Sequence, residues 1–191
     1  MSNPKLVMRP LTRRNAILAW HFVRDVDGVP TLDSYDKTRD RDTLIVAPGF
    51  VYTTDEPEIV ACSSGLHGSR SALDALAYAP GPWLCRTLHW GEVDEREDKL
   101  ASRHREVLWV ANADAELRLF ACWCVRQIWH LVTDERSRRA VEVAERFSAG
   151  NATAMELAAA WAAARDAARD AARDAQRVEL ERRMLALVGG K

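Results

Sequence analysis

Apolar and polar positions follow two different periods along this chain, and the change comes close to residue 112. Before it, apolar runs are short, rich in β-branched and aromatic residues, and bounded by turn formers, which is the pattern of strands. "ILAWHFV" at 17–23 predicts a strand that stops at the turn cluster "DVDGVP" around Gly28 and Pro30. "TLIVAPGFVY" predicts a strand over 43–47, a turn at Pro48-Gly49 and a second short strand through Tyr52. Further strands are expected at 58–62, 83–90 and 105–111. The charged segment "GEVDEREDKLASRH" between the last two reads as an exposed loop or hairpin tip whose charge serves solvation.

One stretch, "CSSGLHGSRSALDALAYAPG" (62–81), combines several signals. Gly65 permits a tight turn, Ser71 with Asp74 three residues on caps a helix over 72–79, and the proline-glycine run at 80–82 ends it. Two readings are open. It is either a turn that holds a ligand or a capped connector whose His67 only hydrogen-bonds the backbone.

From residue 114 the period is helical. "DAELRLFACWCVRQIWHLV" is apolar on nearly all sides and predicts a helix buried at the centre of the C-terminal half. Thr133-Asp134 is the expected cap of the next helix and Gly150 its stop. Thr153 with Glu156 forms a capping box for a last helix reaching Val188, about 35 residues or roughly 52 Å long. Within it Leu157, Trp161, Ala164, Ala168, Ala171 and Ala175 are expected to share one face. The repeat "AARDAARDAARDAQ" gives each aspartate an arginine three residues later, and its small alanines let another helix approach closely. The later apolar positions Leu180, Met184, Leu187 and Val188 turn to the other side, so a homodimer through the C-terminal helices is expected.

The expected fold is therefore α+β. An N-terminal tail (1–16) leads into a β-rich domain with a small mixed sheet or partly open barrel (17–112), followed by an α-helical module with one long helix (113–191).

Composition narrows the function classes. A formal net charge of -1 over 191 residues argues against a basic, nucleic-acid-coating protein, and the aspartates interleaved with the C-terminal arginines would repel phosphate. The N-terminus has no secretory apolar core, and no run approaches the about eighteen apolar residues that span a bilayer, so no membrane contact and a cytoplasmic location are expected. The cysteines Cys62, Cys85, Cys122 and Cys124 lack any CxxC spacing and read as reduced and buried. The histidines lack HxxxH or HExxH spacing, so no metal is expected, and His130 reads as a core residue of its helix. No P-loop, GxGxxG or Ser-His-Asp order is present.

Candidate ligand-binding residues are His21 on the first strand and His67 and Ser69 ahead of the short helix, with Tyr78 at that helix's end. A loop before a helix N-terminus favours anions. Glu106 in "REVLWV" is the carboxylate most firmly held; pointing inward it needs a partner, pointing outward it is solvated.

"AWHFV", "LHGSRSALDALAYAPG", "GEV" and "DKLASRHREVLW" together resemble an uncharacterised domain common in bacteriophage and actinobacterial proteins. That domain pairs a Trp-His strand with a Gly-Leu-His-Ala-Ser turn and Tyr-Ala-Pro-Gly; here Gly68 stands where alanine is usual. The Ala/Arg-rich tail is similar to the helical region of such proteins and of candidate immunity proteins. The resemblance implies a phage or mobile-element accessory protein, without enzyme activity or cofactor. Such a protein would bind a host protein or a small nucleotide-like ligand and inhibit host defence.

A fainter likeness is to ADP-ribosyltransferase-like domains, carried by Trp20-His21, Gly65-Leu66-His67, Ser69, Tyr78 and Glu106. It implies an NAD-dependent enzyme. His21 would hold the ribose, Tyr78 or His67 would line the nicotinamide pocket, and Glu106 as catalytic residue would stabilise an oxocarbenium-like transition state. Phe22 and Val23 depart from that family's small residues after the first histidine.

Overall fold

The computed structural model describes residues 5–6, 15–32 and 44–189, with the side chains of 15–32, 44–173, 176–180 and 183 among them. Most of the expected tail therefore lies outside the described residues. The chain divides into two compact units, Met1–Asp114 and Ala115–Lys191. It is α+β: a curled antiparallel half-barrel sheet in the first unit, and four helices of which the last is long.

Among the described residues eight strands form the sheet: β1 (Lys5–Leu6), β2 (Ile17–Val26), β3 (Val29–Leu32), β4 (Leu44–Ile45), β5 (Val51–Thr53), β6 (Leu66–Gly68), β7 (Trp83–Glu95) and β8 (Leu100–Asn112). Their order is β1-β5-β8-β7-β2-β3-β4, with β6 also paired to β8. The β2–β3 turn is Asp27-Gly28, both with positive φ, which is the two-residue hairpin whose twist suits antiparallel strands. Pro30 lies inside β3 rather than in the turn.

The two central strands are longer than their apolar runs suggested. β7 continues through "GEVDE" and β8 begins at Leu100, leaving only 96–99 as the hairpin tip, where Arg96 N–H bonds the Lys99 carbonyl at 2.7 Å. The acidic residues there do more than meet solvent. Glu92 and Asp94 accept backbone hydrogen bonds from Ile59 and Ala61, and Glu92 and Glu95 pair with Arg103 and Arg70. Those bonds tie down 58–62, which is a turn and not the expected strand, with Cys62 in the left-handed region at φ 73°.

Bulges in β7–β8 at Arg86/Thr87 and Trp90/Val93 bend the hairpin. Its bent end carries β6 on the β8 side, and the next residue, Ser69, exchanges two backbone hydrogen bonds with Trp20 on β2, at 2.7 and 2.9 Å. The chain from β6 thus spans from β8 to the free edge of β2 and closes one end of the half-barrel. Its core is Val23, Val46, Tyr52, Leu66, Cys85 and Val107. The short helix α1 (Ala72–Leu76) follows, capped by the Ser71 hydroxyl, which accepts from the Leu73 and Asp74 amides.

In the second unit, α2 (Asp114–Gln127), α3 (Glu135–Ser148) and α4 (Ala154–Gly189) carry the expected caps. Asp134 accepts from Arg136 N–H, Gly150 takes φ 76° after α3, and Thr153 and Glu156 form the reciprocal capping box. Cys122, Ala140, Val143, Ala144, Leu157 and Ala160 make the core. The expected buried central helix is corrected: in α2 only Cys122 is buried, while Phe120 and Trp123 are exposed. The buried stripe of α4 is Leu157, Ala160 and Ala167, so Trp161, Ala168 and Ala171 face away from it; α3 meets the other edge of the alanine surface. The face expected at Ala175 and beyond Gln176 lies outside the described side chains, Leu180 excepted, which is exposed. Among the described residues no helix is long and apolar enough to cross a membrane.

A candidate ligand cavity

Strand alternation decides which side chains enter the half-barrel. His21 pairs with Cys85, Ala19 with Thr87, and Ile17 with His89, while His89 in turn pairs with Arg105 and Arg105 with Tyr52. Directly paired residues share a face. Arg105, His89, Cys85, Tyr52 and His21 therefore belong to the inner surface. Glu106, one residue on, pairs with Leu88 and Val51 on the opposite face.

That inner surface, β6, and the end of α1 with the residues after it enclose a cavity of about 430 Å³, within the about 300–1,000 Å³ of small-molecule pockets. His21, His67, Ser69 and Tyr78 all line it, joined by Arg105, Lys99 and Cys62. Glu56 also lines it. Glu106 is not among the lining residues; it is 9% exposed on the other face.

His67 is fixed at both ends of the residue. Its Nε2 accepts the Cys62 N–H at 3.2 Å, so the neutral ring carries its proton on Nδ1, and its carbonyl accepts from Arg105 Nη1 at 3.0 Å. The two readings of this turn are thus compatible: His67 bonds the backbone and also lines a cavity. Behind it, His89 is fully buried, with Nε2 3.0 Å from the Thr87 hydroxyl and Nδ1 2.8 Å from that of Ser102. Gly68 makes room for this ring, since a Cβ there would stand 2.7 Å from His89 Nε2.

Burial favours the neutral form of the titratable groups around Arg105. Burial first, then Arg105, His89 and His67, hold His21 well below the usual imidazole range, and burial followed by Arg105 does the same for His89. His67 is lowered by burial, then by Arg105 and Lys99. Burial pushes the Cys85 thiol up to about 11 and the Tyr52 phenol up to about 12. All these neighbours of Arg105 are consequently neutral at pH 7.

At the mouth, Lys99 lies 3.9 Å above the Tyr78 ring, and the Tyr78 hydroxyl donates to Asp98. Tyr78 and Cys62 raise the Lys99 pKa, which keeps it charged. Among the described residues no cluster of three His, Cys, Asp or Glu side chains is placed to hold a metal ion.

Arg105, His89 and Lys99 did not stand out in the sequence. The register that aims Arg105 inward depends on the bulge near Leu108, where "VLWV" offers apolar residues to both faces and hides the alternation. Two other expectations are corrected. His130 is exposed, in a 3-10 turn (Trp129–Leu131) after α2 and not in a core. All four cysteines are free, but Cys62 and Cys124 are exposed because one occupies a tight turn and the other the outer side of α2. Compared with known proteins, the chain matches no family model, no curated protein and no solved structure.

Proposed function

We propose that this is a binding protein without catalytic activity whose N-terminal unit holds a small nucleotide-like ligand. The observation that carries this reading is the convergence of His21, His67, Ser69 and Tyr78 on one cavity whose wall also includes Arg105 and Lys99. Aromatic residues with hydrogen-bonding and cationic groups suit a ligand that has a flat ring at one end and charge at the other.

The transferase alternative needs Glu106 at the ligand, and Glu106 stands on the opposite face of β8. Its position favours binding over catalysis. The phage setting, and with it a host-defence target, rests on the resemblance carried by "AWHFV", "LHGSRSALDALAYAPG", "GEV", "DKLASRHREVLW" and the Ala/Arg-rich tail. Self-association through the C-terminal helices belongs to the same proposal, and light scattering that finds a monomer at all concentrations removes it.

A thermal-shift panel with NAD, ADP-ribose, adenosine monophosphate and cyclic nucleotides tests the reading. A ligand at 100 times its Kd stabilises the folded state by about 2.7 kcal/mol. A flat response to all of them, at millimolar concentration, refutes it.

A further inference from the structure

We infer that Arg105 is the receptor for an oxyanion of the bound ligand, a phosphate or a carboxylate seated against its guanidinium inside the cavity. This rests on the cavity being a ligand site and names the group that the site recognises.

The inference starts from an imbalance. Arg105 is 3% exposed and belongs to the cavity wall. A guanidinium removed from water loses several kcal/mol of hydration unless a counter-charge and hydrogen bonds replace it. Of its N–H donors, Nη1 bonds the His67 carbonyl and Nε is buried with no partner. Tyr52 presents its ring 5.6 Å from Cζ, but the phenol hydroxyl is used elsewhere, donating to the Ile45 carbonyl at 3.0 Å. Arg105 makes no ion pair with any described residue, although other arginines of this unit do, as Arg70 does with Glu95 and Arg103 with Glu92.

The titratable groups that act on Arg105 most strongly supply no counter-charge. The groups whose fields reach Arg105 are Cys85 and Tyr52, both held neutral by burial, and the three histidines, which are neutral or would be cationic. Glu56 also lines the cavity. A buried, forked donor on a cavity wall, with no ion pair and with its Nε–H unpartnered, suits an incoming anion. The planar fork matches two oxygens of a carboxylate or phosphate at once. Neutral histidines beside it add hydrogen-bonding groups without adding charge, and Lys99 at the mouth adds attraction for an anion approaching from solvent.

The test compares matched probes by calorimetric titration: adenosine monophosphate against adenosine, and inorganic phosphate against acetate as competitors. The expected result is nucleotide binding on the order of 10- to 100-fold tighter than nucleoside, the size of a charge-assisted hydrogen-bond pair. In Arg105→Met that preference is expected to vanish while the melting temperature stays level or rises, because an uncompensated buried charge has been removed. Arg105→Lys, which keeps the charge and loses the fork, provides a second variant and is expected to retain part of the preference. Competition by phosphate but not acetate assigns a phosphate group, and the reverse assigns a carboxylate. Equal binding of nucleotide and nucleoside overturns the anion receptor and leaves the cavity as a ligand site. An Arg105→Met protein that keeps full nucleotide preference also overturns it. No response to any of the four probes overturns it along with the cavity reading.

Discussion

Arg105 donates to the carbonyl of His67, and the ring of the same histidine accepts the amide of Cys62. A buried cation on a central strand, a histidine on the short strand β6 and a turn residue of positive φ are therefore positioned by two hydrogen bonds in series. His67→Ala retains the carbonyl and frees the Cys62 amide to water at an exposed turn. The expected cost is at the low end of a hydrogen bond, about 0.5–1 kcal/mol, with weakened ligand binding. Urea denaturation measures the first, and a loss above about 3 kcal/mol would mean the ring has a larger structural role than these contacts explain.

Gly68→Ala is expected to destabilise the protein by about 1–3 kcal/mol, the usual cost of overpacking. The added methyl meets His89, which cannot swing aside because Thr87 and Ser102 hold both ring nitrogens, and it also approaches the Ala19 side chain at 3.2 Å. A second change that shrinks the ring site, His89→Ser, should recover part of the loss in a double-mutant cycle. Additive effects would show that the two sites are not in contact.

Stability is expected to fall as the solution is acidified below about pH 6.5. His21 and His89 are held neutral in the fold, well below their ordinary range, while the unfolded chain titrates near 6.5. The unfolded state then binds more protons over the window from about 6.5 down to the folded values, so stability is complete above that window and drains on descending through it. The slope reaches about 1.4 kcal/mol per pH unit for each such histidine. Chemical denaturation between pH 8 and pH 5 measures it, and His89→Gln should make the slope shallower. A stability that rises on acidification contradicts the assignment.

Glu106→Gln is expected to leave ligand affinity unchanged, since the carboxylate is directed away from the cavity. The wild-type protein should not consume NAD. Hydrolysis of NAD that disappears in Glu106→Gln would restore the transferase reading.

Cys62 offers a direct reporter, because it lines the cavity and is exposed whereas Cys85 and Cys122 are buried. In a Cys124→Ser background, a bound nucleotide should slow alkylation of Cys62 by a thiol reagent. An unchanged rate at saturating ligand would place the ligand elsewhere.

Local chemistry carried most of the architecture in the sequence. The Ser71 cap, the Asp134 cap, the Thr153–Glu156 box and the glycine stops act within a few residues, so they are readable one segment at a time. His21 and His67 were legible as candidates, and the cavity unites them. What could not be read was pairing over distance. "GEVDE" becomes strand because its carboxylates anchor a loop some 33 residues away, at Ile59 and Ala61. Arg105 is directed inward by a register that a bulge resets, and α4 buries the edge of its alanine surface that α3 happens to meet.

The two backbone bonds between Trp20 and Ser69 act as the clasp of the half-barrel, and the clasp is one wall of the cavity. A ligand in the cavity is therefore expected to favour closure. A molecule lodged against β6 should slow hydrogen exchange at the Trp20 and Ser69 amides even without touching either, and a substitution that springs the clasp should empty the cavity without altering any lining side chain.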